Sequence, residues 1–318
     1  MKLPFVSTFK SAVCALLCTV CLGAGAQTLR IATLPAADSI VLDVAVDEGF
    51  FKKHGLDVET VPFKSALEVG AAMRAGRLAG HFGDLMNVFT QNETGAEQAV
   101  VLTTTHTSPE QRAFALVTAP KYADRLNSLA DLKETPTAMS ASTIIDYLLD
   151  RLQQTSGLSK SAFKNMEVRQ IPIRLQMLLA GQIETALLPE PLVTVVEKKG
   201  GRVLWDDTKL DESLAVVALR KPYLDDKTVT AFRSAVAEAA ARIEADPEKY
   251  RALMVQKRLI PAVVAKDYKM VRFSMFGTPD ALPPLPTAED VRRVAQWMLE
   301  RGMIQKAPVF EEVVYVGK

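Results

Sequence analysis

Cysteine is nearly absent from this chain, and what there is lies in one place. The 318 residues contain only Cys14, Cys18 and Cys21. Beyond residue 26 there is therefore no disulfide, no thiol nucleophile and no thiolate metal ligand. Histidine is scarce too. His54, His81 and His106 are spread too far through the pattern to form a metal set, and no H-E-x-x-H spacing occurs, so no metal site is expected. Aromatic residues make up 7%, too few for a protein built on base- or sugar-stacking platforms. An excess of one charge is also missing: 38 Lys and Arg face 37 Asp and Glu, and nothing draws the chain to nucleic acid. No G-x-S-x-G elbow, P-loop or dinucleotide fingerprint is found after the first residues. What remains is the composition of an ordinary soluble protein, 48% hydrophobic and 24% charged. At roughly 100–200 residues per domain, the length favours two lobes.

The three cysteines sit in a segment with the marks of a secretory signal peptide. Lys2 and Lys10 are its only charges, an apolar run follows from about Ala12 to Leu22, and Ala24-Gly25-Ala26 closes it. Cleavage is expected after Ala26. A membrane span needs about 20 apolar residues, and this run is much shorter. The Cys18-x-x-Cys21 spacing is a decoy inside a leader that is discarded. None of the cysteines follows the Leu-plus-small-residues pattern of a lipid-anchored protein. Export without a lipid anchor implies a periplasmic location.

From Thr28 onward, short apolar runs alternate with helical periodicity. Strands are expected at 29–34, 56–61, 78–83 and 99–103, with helices over 40–48 and 66–75, the second stopped by Gly76. The pattern restarts with strands at 137–139, 166–171, 185–188 and 202–204 and a helix over 143–152. A long stripe through Val229, Phe232, Val236, Ala240 and Ile243 predicts a helix ending at Asp246-Pro247. The Pro-rich stretch from Pro279 to Pro286 precedes a last helix carrying Val291, Val294, Ala295 and Met298. Such alternation argues for βαβ units and mainly parallel sheets flanked by helices. An internal echo supports two similar lobes: Met73-Arg-Ala-Gly76 and Leu179-Ala-Gly181 both end a helix and open a strand that closes near an acidic residue. Two apolar strands, 113–117 and 214–219, are expected to join the lobes. The first lobe would then be 27–112 plus 220–318, and the second 113–219.

The run from Val44 to Val58, VAVDEGFFKKHGLDV, resembles the start of periplasmic substrate-binding proteins of the nitrate, sulfonate and taurine type, which include binders of thiamine pyrimidine precursors. Ala75-Gly76-Arg-Leu78, Ala180-Gly181-Gln-Ile183, Glu190-Pro191, Trp297-Met298 and Gly302-Met-Ile304 match further features of that family in order. Ala79 and Glu184 stand where the family usually has Asp. The resemblance implies an α/β, two-lobed type II periplasmic-binding fold with two hinge strands. It also implies a small-molecule solute and delivery to the permease and ATPase of an ABC importer in the inner membrane.

In open α/β sheets, ligands bind outside the carboxyl ends of the strands. That rule selects the loops 35–39, 83–86, 103–107, 140–143 and 189–190. From them come the candidate ligand-binding residues Asp38, Ser39, Asp84, Leu85, Thr105, His106, Ser140, Ser142, Thr143 and Glu190. Ser140, Ser142 and Thr143 gather hydroxyls and backbone N–H groups at a helix start, which suits an anion but equally an ordinary N-cap. Asp38, Asp84 and Glu190 would repel a bare anion and hold N–H or ammonium donors. Against ligand contact, Asp84 would cap the following helix and Glu190 would pair with a basic neighbour. Arg174 is read as an exposed ion pair. No catalytic residue, cofactor or oligomer is expected. An enzyme remains the alternative, because fungal pyrimidine-precursor synthases share the fold, and a ligand-sensing role is a third.

Overall fold

The computed structural model describes residues 1, 28–269 and 282–317. The expected leader and part of the Pro-rich stretch lie outside the described residues. Ten strands and eleven helices follow in order: β1 Leu29–Thr33, α1 Ile40–Asp47, α2 Phe50–Lys53, β2 Val58–Pro62, α3 Ala66–Arg74, β3 Gly80–Gly83, α4 Leu85–Glu93 and β4 Gln98–His106. The second group is β5 Phe114–Thr118, β6 Thr135–Met139, α5 Ile144–Ser156, β7 Phe163–Glu167, α6 Ile171–Leu179, β8 Thr185–Pro189, α7 Leu192–Lys198 and β9 Val203–Asp206. The chain returns through β10 Ser213–Arg220, α8 Asp226–Ala245, α9 Pro247–Gln256, α10 Ala288–Glu300 and α11 Phe310–Val313.

The strands form two five-stranded sheets, ordered β2-β1-β3-β10-β4 and β7-β6-β8-β5-β9. Each holds one antiparallel strand in the fourth place, β10 in the first and β5 in the second. The two halves thus share one topology, each receiving its antiparallel strand at the crossover. The echo in the sequence falls at equivalent places, where α3 leads into β3 and α6 into β8. Gly76 and Gly181 take φ +70° and +66°. At these ends Arg77 N–H reaches Ala72 O (3.1 Å) and Gln182 N–H reaches Met177 O (2.9 Å), the six-to-one bonds of a left-handed helix stop.

Two expectations are corrected. The segment 166–171 is not a strand throughout. β7 ends at Glu167 and Ile171 already opens α6, because Pro172 suits a first helical turn. Nor is either apolar stretch a connector: β5 pairs with β8 and β9 inside the second sheet, and β10 with β3 and β4 inside the first. A lobe boundary at 219 would place a strand of the first sheet in the second lobe. The crossings are the shorter segments 107–113 and 207–212, which run side by side. Thr107 N–H donates to Glu212 O, Glu212 N–H to Thr107 Oγ1 (both 2.9 Å), and the Asp207 carboxylate accepts the N–H groups of Ala113 (3.0 Å) and Phe114 (3.2 Å).

Packing follows the layers. The first sheet buries Ile31, Val217 and Leu219 against α1 and α8, whose Ile40, Val44, Phe232 and Val236 are fully buried. Its other face shares one cluster with the second lobe: Phe89 of α4, Leu148 of α5 and Met298 of α10 belong to it. There the Trp297 ring meets Tyr147 edge-on at 5.3 Å, and Trp297 Nε1 donates to Asp150 (2.8 Å). α10 therefore binds both halves. The second sheet packs its remaining face on α6 and α7 through Leu178, Leu188 and Val193.

Two predictions follow from these elements. Gly76→Ala and Gly181→Ala each force a Cβ into the left-handed region and are expected to cost about 1–2 kcal/mol in urea unfolding; unchanged midpoints would refute the stop geometry. Burial pushes the Asp207 carboxyl up to about 7. A group raised in this way keeps its proton in the folded chain after the unfolded chain has lost it, so its contribution to stability declines as pH rises from about 4 to about 7. Asp207→Asn should lose that decline, and its stability relative to wild type should climb by at least about 1 kcal/mol across the window, given about 1.4 kcal/mol per unit. Parallel pH profiles would count against it.

Candidate functional site

The loops that follow β1, β4 and β8 meet the start of β5 around a cavity of about 400 Å³ between the two sheets. Its walls are Ala36 to Asp38, Thr105 and His106 from one side, and Arg112 to Phe114, Pro189 and Glu190 from the other, with Ser108, Glu110, Gln111 and Tyr268 at the margin. A smaller recess of about 60 Å³ shares Ala36, Asp38, Phe114 and Pro189 with it and continues inward to Asp84, Ser140, Thr143 and Ile144. The halves touch here: Ala37 N–H donates to Glu190 O (3.0 Å).

Asp38 sits in a short helical turn before α1, where the chain leaves β1 through Pro35. Its side chain is buried and Oδ2 accepts from the hydroxyl of Thr104 (2.7 Å) and that of Thr105. Burial raises its pKa, and the two hydroxyls oppose that. Both threonines come from the end of β4, where the register against β10 shifts between Ala215, opposite Thr105, and Val216, opposite Thr103. This break in the alternation lets two consecutive side chains reach one carboxylate. Ser39 is buried beside Asp38 and gives its hydroxyl to Ala36 O (2.9 Å); it lines none of the described cavities.

Asp84 is spent within the protein. As N-cap of α4 it accepts from Asn87 N–H (2.8 Å) with one oxygen, and from Ile144 N–H (2.9 Å), in the other lobe, with the second. It is fully buried, and that burial raises its pKa. The donors expected for an anion at the start of α5 are therefore already taken. Ser142 N–H goes to Asp146 (2.9 Å), Ala141 N–H to Glu167 (3.1 Å), and Ile145 N–H to the Thr143 hydroxyl (3.2 Å). Leu85 points into the shared core and lines no described cavity, since the residue after an N-cap turns inward with the helix.

Glu190 lines the large cavity, but its oxygens are engaged by Arg112 Nε (2.7 Å) and by the N–H (3.2 Å) and hydroxyl (2.9 Å) of Thr194. His106 lines it too, with Nδ1 3.0 Å from Thr107 O and Nε2 3.3 Å from Asp211. Arg174 is no exposed ion pair. It is wholly buried and donates to Val168 O (2.8 Å), Leu187 O (3.3 Å) and the Ser140 hydroxyl, and burial lowers its pKa to about 10. It ties the loops that follow β6 and β7 to the middle of β8. Ser142 takes φ +59° and faces a separate cavity with Ser140 and Thr143.

Residues outside the sequence candidates complete the site. Arg112 binds Glu190 and Glu197, and Phe114 gives both recesses an aromatic wall. Nothing local marks Arg112; only its position one step before an apolar strand that opens at a crossover places it in the cleft. The large cavity thus carries three carboxylates, Asp38, Glu110 and Glu190, against the single guanidinium of Arg112. Such walls suit N–H donors or a cation better than an oxyanion.

No curated protein sequence matches the chain. Among solved structures, the alkanesulfonate-binding protein SsuA of Xanthomonas axonopodis pv. citri, bound to MOPS, superposes with a TM-score of 0.73 at 17% identity, covering 91% of this chain and 98% of that one. The periplasmic aliphatic sulphonate binding protein SsuA of Escherichia coli gives 0.71 at 20%, covering 91% and 97%. The periplasmic nitrate-binding protein NrtA of Synechocystis PCC 6803 gives 0.63 at 14%, covering 74% and 67%. These likenesses establish a two-lobed periplasmic-binding-protein fold. The model of the NMT1-like family matches residues 23–256, most of the chain, and the protein belongs to that family.

Proposed function

We propose that this chain is an exported solute-binding protein that captures one small organic molecule bearing N–H or ammonium donors, such as a pyrimidine-like heterocycle, and delivers it to the permease and ATPase of an ABC importer. The observation that carries this reading is the cavity itself, about 400 Å³ walled from both lobes by carboxylates and the Phe114 ring, with Tyr268 at the margin. That size fits a small molecule held by a few placed polar groups. Asp38 is the central anchor. Its hydroxyl donors both arrive at Oδ2, whereas Glu190 has its oxygens taken by Arg112 and Thr194. The leader ending at Ala26 and the fold shared with periplasmic binding proteins support export and transport.

An enzyme on this fold is the weaker reading. Ser108 and His106 both line the cavity, but the serine hydroxyl donates to Glu110 and not to the imidazole. The Asp211 side chain beside His106 is 92% exposed. A serine whose proton goes to an exposed carboxylate, apart from an imidazole that is itself oriented only by a solvated carboxylate, does not form an activated nucleophile–base pair.

Calorimetric titration of the full chain with an aminopyrimidine, taurine, ethanesulfonate and nitrate tests the reading. We expect binding of the two N–H-bearing compounds, the aminopyrimidine tighter, with each recovered chemically unchanged. Asp38→Asn should weaken the aminopyrimidine at least tenfold, because a hydrogen bond to a charged group is worth about 1.5–3 kcal/mol. Preference for ethanesulfonate or nitrate, or conversion of the bound compound, would overturn it.

A further inference from the structure

Beyond the solute cleft, we infer a second binding site on the seam between the lobes, for a compact oxyanion of the phosphate or sulfate class, free or as the terminal group of an organic molecule. The seat is a cavity of about 210 Å³ between α3, α4 and the 140–143 loop, separate from the large one. Its lining contains Arg74 and Arg169 and no carboxylate, the reverse of the solute cleft.

Three observations converge there. Arg74, in the last turn of α3, makes no ion pair among the described residues although it is exposed. Gln91 is 97% buried, with only 3% of its surface exposed. Its Oε1 accepts from Gln98 (3.1 Å), while its Nε2 has no protein acceptor among the described residues and faces the cavity. That donor opens onto the cavity, where water or a ligand oxygen can accept it. Finally, α3 carries Gly70 in its interior, where glycine is less favourable than alanine. A Cβ there would lie 3.3 Å from Arg74 Nη1 and 4.0 Å from Gln91 Nε2. The glycine leaves open the point that both donors approach.

The second lobe contributes Ser142, whose left-handed backbone sets it at the rim, and Arg169. Arg169 already holds Glu167 (2.6 Å), so its charge is shared. The neighbouring carboxylates turn to partners of their own: Glu68 accepts from Gln170 (2.9 Å) and Lys64 N–H (3.1 Å), and Glu167 from Arg169 and Ala141 N–H. A guanidinium and a fixed amide N–H are the groups that recognise tetrahedral oxyanions. Because donors come from both lobes, the anion would hold the two together.

Inorganic phosphate, sulfate and glycerol phosphate titrated separately into the full chain at low ionic strength test the site. We expect one equivalent to bind, more weakly as salt rises. Arg74→Gln should lower the affinity at least tenfold, Arg74→Lys should retain most of it, and Arg169→Gln should lower it several-fold. Arg112→Gln, confined to the solute cleft, should leave it unchanged. Glycerol phosphate binding as tightly as phosphate would identify a terminal group, and phosphate alone binding would identify the free ion; either supports the site. No binding of any of the three at millimolar concentration would overturn it, as would binding lost in Arg112→Gln but kept in Arg74→Gln. None of these arms uses the cleft's solute, so the outcome is independent of the transport reading.

Discussion

One carboxylate decides how the two halves of this protein meet. Asp84 closes the N-terminus of its own helix through Asn87 and, with its other oxygen, the N-terminus of α5 in the opposite lobe through Ile144. Helix starts carry unsatisfied N–H groups and a partial positive charge, so a carboxylate between two of them is satisfied on both sides. Its burial would otherwise be prohibitive. The same contact brings α4 against α5, and α10 then seals the shared core with Trp297 on Tyr147 and Asp150. Without Asp84 in that place, the Ile144 N–H at the start of α5 would lie open toward the inner recess.

With those donors occupied, the cleft's electrostatics are set by what remains. Asp38 is held by threonine hydroxyls, which stabilise a carboxylate without neutralising it. Glu190 is countered by Arg112, which also answers to Glu197. The buried Arg174 adds no charge at the cavity wall; its hydrogen bonds go to carbonyls of the strand ends and to Ser140. A guanidinium can be buried in this way because several well-placed acceptors replace its water. It works as a fastener that ties the loops after β6 and β7 to β8.

The sequence carried the fold more legibly than the site. Helix stops at Gly76 and Gly181, the apolar face of α8 and the stripe of α10 are local signals, each fixed by backbone geometry or by period. The repeated topology showed through because the same turn is needed at the same place in both halves. The return strand β10 was misread as a connector, since an apolar strand looks alike whether it crosses between sheets or lies within one. The cleft loops were located by a general rule of α/β sheets. What their residues do there was not readable. The cluster from Ser140 to Thr143 has the composition of an anion site facing the cleft, but Asp146 and Glu167 take the N–H groups of Ser142 and Ala141, and Asp84, 60 positions back, takes that of Ile144. Arg112 and Asp207 have no local motif at all; they matter because two crossing segments lie side by side.

The same seam gives the two cavities a thermodynamic relation. A ligand that contacts both lobes binds their closed arrangement better than the open one, and can shift that equilibrium only by its differential affinity. The solute cavity draws on Asp38 and Thr105 from one lobe and Arg112 and Glu190 from the other; the basic cavity on the far side of Asp84 draws on Arg74 and Gln91 against Ser142 and Arg169. Two occupants that favour one closure favour each other, and by reciprocity each raises the other's affinity by the same factor. The charges differ as well: carboxylates predominate around the first cavity, and the second has two guanidinium groups and no carboxylate. The short recess past Asp84, Ser140 and Thr143 lies between them. At that point the protein's own carboxylate, Asp84, takes the Ile144 N–H at the start of α5 and supplies a negative charge between the two cavities.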